Sequence, residues 1–517
     1  MEIIWQKASP SDSIFTFGRC ISSGDVNGDS FSDIMIVGDS VLHSANPDSF
    51  YRGVCWVFLG GPNPDTIPDF RLNNLQRLTY WSLHSGDING DGFDDVILGA
   101  CNNGETGQVL VFLGGNPMDT ICDFKMRGPS RGSVFGCAVS SGDVNGDGYS
   151  DLIVGAYGAA PRPGGYDMGR VYIYYGGLNF DTIPDVILNG GHEGDREGFG
   201  TSVSGAGDVN KDGFSDLIIG AGNFGPIIQG RIYIYLGGNP MDTIYDVAMS
   251  GLRSWQQLGW TGVDFLTNPT KDNAIIGGYG LEKQEVCVLF GGSEMDSTPD
   301  VLLTTEGDSS YLGSEVVNAG FTSRNEASDA LAGAPTEYDR RGTAYLWLGG
   351  EFLDSLPDAW IRGSQPYDEI GWLVASAGDV NGDGKDEIMV SNYAADETPR
   401  RVWVCKYTGQ GIEERGTLNA IRLTIEVNPN PCNRHTTISY SLLAESKVSL
   451  RVYDITGKLI KTICANQNIL KSGNYETRWD LMDNNRKKVT AGIYFIEISA
   501  GQEGNIIREI SKITVIK

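Results

Sequence analysis

The chain has 517 residues, 40% of them apolar, with 70 glycines and a formal net charge of −27 from 66 acidic and 39 basic residues. That apolar content excludes a disordered chain, the sign of the charge excludes a basic nucleic-acid binder, and no apolar run reaches the ~18 residues of a membrane-spanning helix. Glycine at this level without a G-X-Y period excludes collagen and points to turn-rich β structure.

Met1 to Pro10 carries Glu2 and Trp5 where a secretory leader would carry basic residues. The chain is then either cytosolic or begins downstream of a removed leader. The first predicted element is a strand from Ile3 (IIWQKA), with no partner nearby in sequence.

A loop follows that recurs along the chain: GDVNGDSFSD from Gly24, GDINGDGFDD from Gly86, GDVNGDGYSD from Gly142, GDVNKDGFSD from Gly207 and GDVNGDGKDE from Gly378. Two degraded copies near Asp264 and Gly320 keep the frame, so six steps from Asp25 to Asp379 give 59 residues per repeat. Each repeat reads as four short strands. In the fourth these are Gly200 to Ala206, Leu217 to Ala221, Arg231 to Gly238 and Asp246 to Ser250, with a DTIPD-type hairpin before the last. A four-stranded unit this small cannot bury both faces alone, whereas seven stacked around an axis can. The seventh repeat stops after RVWVCKY (Arg401 to Tyr407), so the strand from Ile3 is expected to complete it and close the ring.

Oxygen donors fall at loop positions 1, 3, 5, 7 and 9, the last but one through a backbone carbonyl. They are Asp25, Asn27, Asp29, Phe31 and Asp33; Asp87, Asn89, Asp91, Phe93 and Asp95; Asp143, Asn145, Asp147, Tyr149 and Asp151; Asp208, Asn210, Asp212, Phe214 and Asp216; and Asp379, Asn381, Asp383, Lys385 and Glu387. Hard oxygen ligands at this spacing suit calcium, and the absence of imidazole and thiolate argues against a transition metal. A plain turn would explain the glycines but not three acids converging in each of five loops. About five calcium ions are therefore expected, with the fifth and sixth repeats empty.

Nine cysteines are scattered without a CxxC pair, and Cys55, Cys287 and Cys405 read as buried thiols in apolar strands. His43, His84, His192 and His435 lie far apart, and no HExxH or GxSxG is present. His192 sits with Glu193, Asp195 and Glu197 in a segment that could serve acid–base chemistry or be a solvated loop.

After Gly409 the rhythm changes. Residues 416–517 carry 14 basic and 9 acidic residues, leaving −32 for residues 1–415. SKVSLRVYD, KLIKTIC, YETRWDL, GIYFIEIS and SKITVIK alternate as strands of a seven-stranded, immunoglobulin-like sandwich. The reading is an all-β chain: a seven-bladed β-propeller over 1–409, a linker over 410–420, and an immunoglobulin-like β-sandwich over 421–517.

The repeat resembles the FG-GAP repeat of the integrin α-subunit propeller. Phe17-Gly18, Phe135-Gly136 and Phe199-Gly200 supply the FG, softened in Leu258-Gly259, Leu312-Gly313 and Ile370-Gly371, and Gly333-Ala334-Pro335 is a literal GAP. The resemblance implies seven blades, calcium in the loops between first and second strands, and ligand binding on the opposite face. There the long loops Asp39 to Arg52 and Tyr157 to Gly169 offer contacts, with His43, Phe50, Tyr51, Tyr157, Tyr166, Phe224, Trp255, Tyr279, Tyr338 and Tyr393 as candidates. VYDITGKLIKTI, YETRWD and AGIYFIEI resemble the sandwich of flagellar hook-capping proteins and the C-terminal sorting tails of bacterial type IX secretion. That implies a bacterial source, export to the surface and a lost N-terminal leader. The expected function is non-enzymatic adhesion or binding of a protein or carbohydrate ligand. The rivals are a polysaccharide-active hydrolase or lyase on the propeller, and a structural module of a surface assembly.

Overall fold

The computed structural model describes all residues but 10–16, 42–50, 76–79, 102–105, 161–167, 192–196, 252, 254, 279–285, 293–294, 306–310, 324–326, 351–352, 354, 393–399, 409–411, 414–422, 429–431, 443–445, 455–457, 465–468, 472, 485, 503–504 and 517. The chain divides into two compact units, Met1–Gly416 and Thr417–Lys517.

The first unit is a seven-bladed propeller. Blades one to five are four-stranded antiparallel sheets whose strands follow chain order, as in blade four: Phe199–Gly207, Asp216–Ala221, Arg231–Tyr235 and Val247–Ser250. The middle strands read as continuous apolar runs because both of their faces are covered by neighbouring blades. Asp95–Cys101 of blade two is buried at every position.

Blade seven is built as the sequence suggests. Ile370–Gly378, Glu387–Asn392 and Arg401–Lys406 are completed by Glu2–Ala8, which pairs antiparallel from Glu2 opposite Lys406 to Ala8 opposite Arg401. A bulge between Ile3 and Trp5 turns the Trp5 ring into the junction with blade one, against Phe58 at 5.2 Å. Blade six gains a fifth, parallel strand, Ile412–Glu413, beside Ala359–Arg362.

Three systems close the ring. Seven apolar clusters fill the seven blade junctions, including that between blades seven and one around Trp5, Phe17, Trp56 and Val402. A polar belt links the first strands. Ser23 Oγ donates to the Ser376 carbonyl, Ser85 to Ser23, Ser141 to Ser85 and Ser376 to Ala319, and the Gly205 N–H donates to Ser140 Oγ. Asp264 of blade five joins both neighbours, accepting from Ser204 Oγ at 2.9 Å and the Asn318 N–H at 2.8 Å. The third system is formed by the acidic loops.

Two expectations for the opposite face are corrected. Asp39 to Val41 and Tyr51 to Arg52 are not loop: they extend the hairpin of Asp33–Val41 and Tyr51–Phe58, with Val41 opposite Tyr51. Phe224 is buried, its ring covered by the Arg231 guanidinium at 3.5 Å. His43, Phe50, Tyr166, Tyr279 and Tyr393 lie outside the described residues. Cys55, Cys287 and Cys405 are buried in their strands, as read.

The second unit has two sheets: Leu423–Asn428, Thr436–Leu442 and Gly473–Trp479, and then Leu459–Cys464, Ser446–Asp454, Gly492–Gln502 and Asn505–Val515. They share a core of Ile438, Leu450, Val452, Trp479, Ile496 and Ile513. The described strands number eight against the seven expected, because the two-residue Ile469–Leu470 also pairs with Ser446–Asp454.

Candidate cation loops

The five acidic loops join first to second strands, so strand direction places them all on one face. In the first loop the Asp25 carboxylate accepts the N–H groups of Gly28, Asp29 and Ser30 at 2.7–3.1 Å. Asn27 Oδ1 accepts the Asp29 N–H, Asn27 Nδ2 donates to Asp29 Oδ2, and Asp29 Oδ1 accepts the Phe31 N–H. The alternating acceptors thus use the loop's own donors to fix its curl. The loop at Asp87 repeats these bonds, those at Asp143 and Asp208 repeat the bonds from the N–H groups of positions 5 to 7 and between the Asn and Asp side chains, and Asp379 repeats those at position 1.

Position 9 has a structural duty that the ligand spacing did not reveal. Asp33 accepts from the Val26 N–H of its own loop and from the Gly60 N–H at the end of the third strand. Asp95, Asp151 and Asp216 make the same tie to Gly114, Gly176 and Gly237. Blade six keeps it through Asp329 and Gly349, and blade five through Asn273 and Gly291. The tie therefore persists where the rest of the acid pattern is lost. Burial, reinforced by Asp29 and Asp25 and opposed by the two N–H bonds, pushes the Asp33 carboxyl up to about 7. Asp95, Asp151, Asp216 and Glu387 are likewise raised to about 7, burial first.

The loops also touch one another. Around the ring, the N–H at position 8 donates to the position-1 carbonyl of the preceding blade: Ser32 to Asp379, Asp94 to Asp25, Ser150 to Asp87, Ser215 to Asp143, Asp272 to Asp208, Ser328 to Thr267 and Asp386 to Phe321. Position 7 adds packing. The rings of Phe31, Phe93, Tyr149 and Phe214 cover Gly382, Gly28, Gly90 and Gly146 of the preceding loops. Blade five has no such ring to lay on blade four, and there Lys211 replaces the glycine, its Nζ donating to Asp272 Oδ1 at 2.8 Å. The five loops thus form one contiguous arc running from blade seven through blade four.

Among the described residues, no group of three or more His, Cys, Asp or Glu side chains is drawn together into a metal cage. The loops fit a hard cation through their donor chemistry: oxygen only, with several carboxylates per loop raising one another's affinity for positive charge. Of the suggested acid–base set, His192, Glu193 and Asp195 lie outside the described residues. Glu197 is fully buried, accepting the Gly191 N–H at 2.7 Å and the Tyr233 hydroxyl at 3.1 Å. It is a packing element of blade four.

Residues 79–112, 135–174, 199–235 and 371–411 match the FG-GAP repeat, covering blades two, three, four and seven. Residues 426–513 match the secretion system C-terminal sorting domain. The chain is similar to integrin alpha-5 of Xenopus laevis, with 32% identity over 160 residues, 30% of this chain and 15% of the integrin. It is similar to integrin alpha-PS2 of Drosophila melanogaster, 35% over 177 residues, 33% and 12% of the two chains. It is also similar to the phosphatidylinositol-glycan-specific phospholipase D of Bos taurus, 30% over 238 residues, 41% and 28%. The chain spans less than a third of the length of each of these relatives. Among the described residues no helix is long and apolar enough to cross a membrane.

Proposed function

We propose that the chain is an exported, calcium-stabilised propeller that binds a ligand on the face opposite its acidic loops and performs no catalysis itself. The observation that carries this reading is the arc of five acidic loops, coupled blade to blade by position-8 backbone bonds and position-7 rings. Each loop concentrates carboxylates that no lysine or arginine neutralises within the loop, save near Lys211 and Lys385. A bound calcium ion supplies that charge. Asp25, Asn27, Asp29 and Asp33, the Phe31 carbonyl and their counterparts would hold it.

Their role is then to stiffen one face. The N–H bonds that orient Asp25 and Asp33 already shape the loop, and the ring over each position-4 glycine carries that order to the next blade. The opposite face is left free to differ from blade to blade, as a binding surface must. Residues 1–409, extended by the blade-six strand Ile412–Glu413, form the binding unit, the rest of 410–420 the linker, and 421–517 the part read by the secretion machinery, which carries the protein to the surface or beyond.

Binding of the full chain to glycan arrays and to whole-cell surfaces, with and without chelator, tests this reading. Retention that falls on chelation supports it, and a chain that binds nothing under either condition contradicts it. The similarity to a phospholipase D favours one rival, a hydrolase. Turnover of phospholipid or polysaccharide by the purified chain, unaffected by chelation, would establish that rival instead.

A further inference from the structure

Three of the inter-blade linkers on the opposite face share one backbone design. Phe135, Leu258 and Ile370 begin or precede the first strand of blades three, five and seven, and their N–H groups donate to Thr106, Gln229 and Arg341. Two residues ahead of each, the N–H groups of Ser133, Gln256 and Asp368 close a turn onto Ser130, Arg253 and Gln365. The residue immediately before is left-handed in all three: Val134, Gln257 and Glu369.

Three residues ahead, the chain is left-handed again, and here the residues differ in kind. Blade three has Gly132 at φ +80°, and a Cβ placed there would meet nothing within 4 Å. Blade five has Trp255 at φ 59° and blade seven Tyr367 at φ 69°. Glycine takes this conformation without steric cost, whereas bulky L-residues are strained in it. Burial does not compensate, because Trp255 is 55% and Tyr367 54% exposed. Neither backbone preference nor core packing accounts for the two largest aromatic types at a solvent-facing glycine position. Strain kept without a packing return is a mark of function.

The surroundings indicate the ligand class. Tyr367 is backed by the Arg340 guanidinium at 5.3 Å, which is itself paired with buried Glu369. Arg253 and Gln256 flank Trp255, and Gln365 and Asp368 flank Tyr367. The most exposed aliphatic side chains, Ile67, Ile121, Leu178, Ile183 and Ile244, all sit on hairpins between third and fourth strands, on the acidic-loop face. An exposed aromatic ring among amide, carboxylate and guanidinium groups is unlike the apolar centre of a protein interface. It suits a sugar ring, whose C–H face packs on the aromatic while its hydroxyls bond to the polar neighbours. The overall acidity of residues 1–415 disfavours an anionic glycan.

We propose that Trp255 and Tyr367 are two equivalent platforms for a neutral polysaccharide, one on each of two linkers of the same face. The proposal rests on the ligand-binding reading above and specifies its ligand. Two platforms on one rigid ring also let a single long chain engage both, raising its apparent affinity beyond either site alone.

Affinity electrophoresis of the full chain tests it, in gels holding β-glucan, xylan or galactomannan, with polygalacturonate as the acidic comparison. At least one neutral gel should retard the protein. Trp255→Gly and Tyr367→Gly should each weaken retardation by about tenfold or more, while Trp255→Phe and Tyr367→Phe retain most of it. Because glycine relieves the left-handed strain, both Gly variants should melt at or above the parent temperature. Gly variants that melt well below the parent would show the rings to be packing elements and overturn the proposal. So would absence of retardation by every neutral polysaccharide. Retardation that ignores both Gly changes, retardation by polygalacturonate alone, or Trp255- and Tyr367-dependent capture of a surface protein without any glycan would overturn this assignment while leaving the ligand-binding reading intact.

Discussion

Phe93 of the second acidic loop lies over Gly28 of the first, so close that a Cβ on Gly28 would stand 2.6 Å from Phe93 Cε1. The glycine, at φ +73°, is therefore needed twice: for its left-handed backbone and for the space its missing side chain leaves. Gly92, at φ +89°, has only the first requirement, since nothing lies within 4 Å of its Cβ position. Gly28→Ala should thus cost about 2–4 kcal/mol and Gly92→Ala only about 1 kcal/mol. Urea unfolding of the two variants measures the difference. Equal costs would mean that the rings do not couple the loops.

Where that coupling ends, an ion pair replaces it. Lys211 Nζ stands 2.8 Å from the carboxylate of nearly buried Asp272. Lys211→Met should leave that carboxylate without its ammonium and destabilise by about 1–3 kcal/mol. Lys211→Met combined with Asp272→Asn should recover part of the loss. A double variant no better than the single would exclude the pair as the cause.

Much of this architecture was legible in the sequence because a repeat states each requirement several times. The 59-residue period and the missing last strand pointed to seven blades and to closure by the strand now seen opposite Arg401–Lys406. What stayed hidden were contacts between blades. Phe31 and its counterparts suggested only a carbonyl at position 7, since nothing local shows that the ring lies on a different repeat. Nothing in the sequence tied Lys211 to Asp272 of the next blade, 61 residues on, where the covering ring is missing. Asp33 read as a ligand alone, although its tie to Gly60 spans 27 residues. Phe224 read as exposed because the guanidinium above it comes from a separate strand.

The closing strand should be indispensable. Trp5 is buried between blades seven and one, and Trp5→Ala should cost about 3–5 kcal/mol. Deleting residues 1–8 would also leave the Arg401–Lys406 edge unpaired and should abolish the cooperative unfolding transition of the propeller. A deletion variant that melts like the parent would refute closure.

His84 offers a pH test away from the cation ligands. Its Nε2 lies 3.1 Å from Ser141 Oγ, and burial lowers its pKa to about 4. A histidine held neutral in the fold takes up its proton more readily when unfolded. Its contribution is therefore complete above the unfolded value near 6.5 and is lost as pH falls toward 4. Relative to His84→Gln, the parent should lose up to ~1.4 kcal/mol per pH unit across this window. A constant difference between the two would show that His84 titrates normally.

Equilibrium dialysis of the chelator-stripped chain against calcium, followed by thermal melting of the same samples, addresses the central claim most directly. Five loops of matching donor chemistry should take up about five ions per chain and raise the melting temperature by mass action. Asp143→Asn with Asp147→Asn should remove about one ion without unfolding the ring. A chain that binds less than one ion, or melts at the same temperature with and without calcium, would contradict the account.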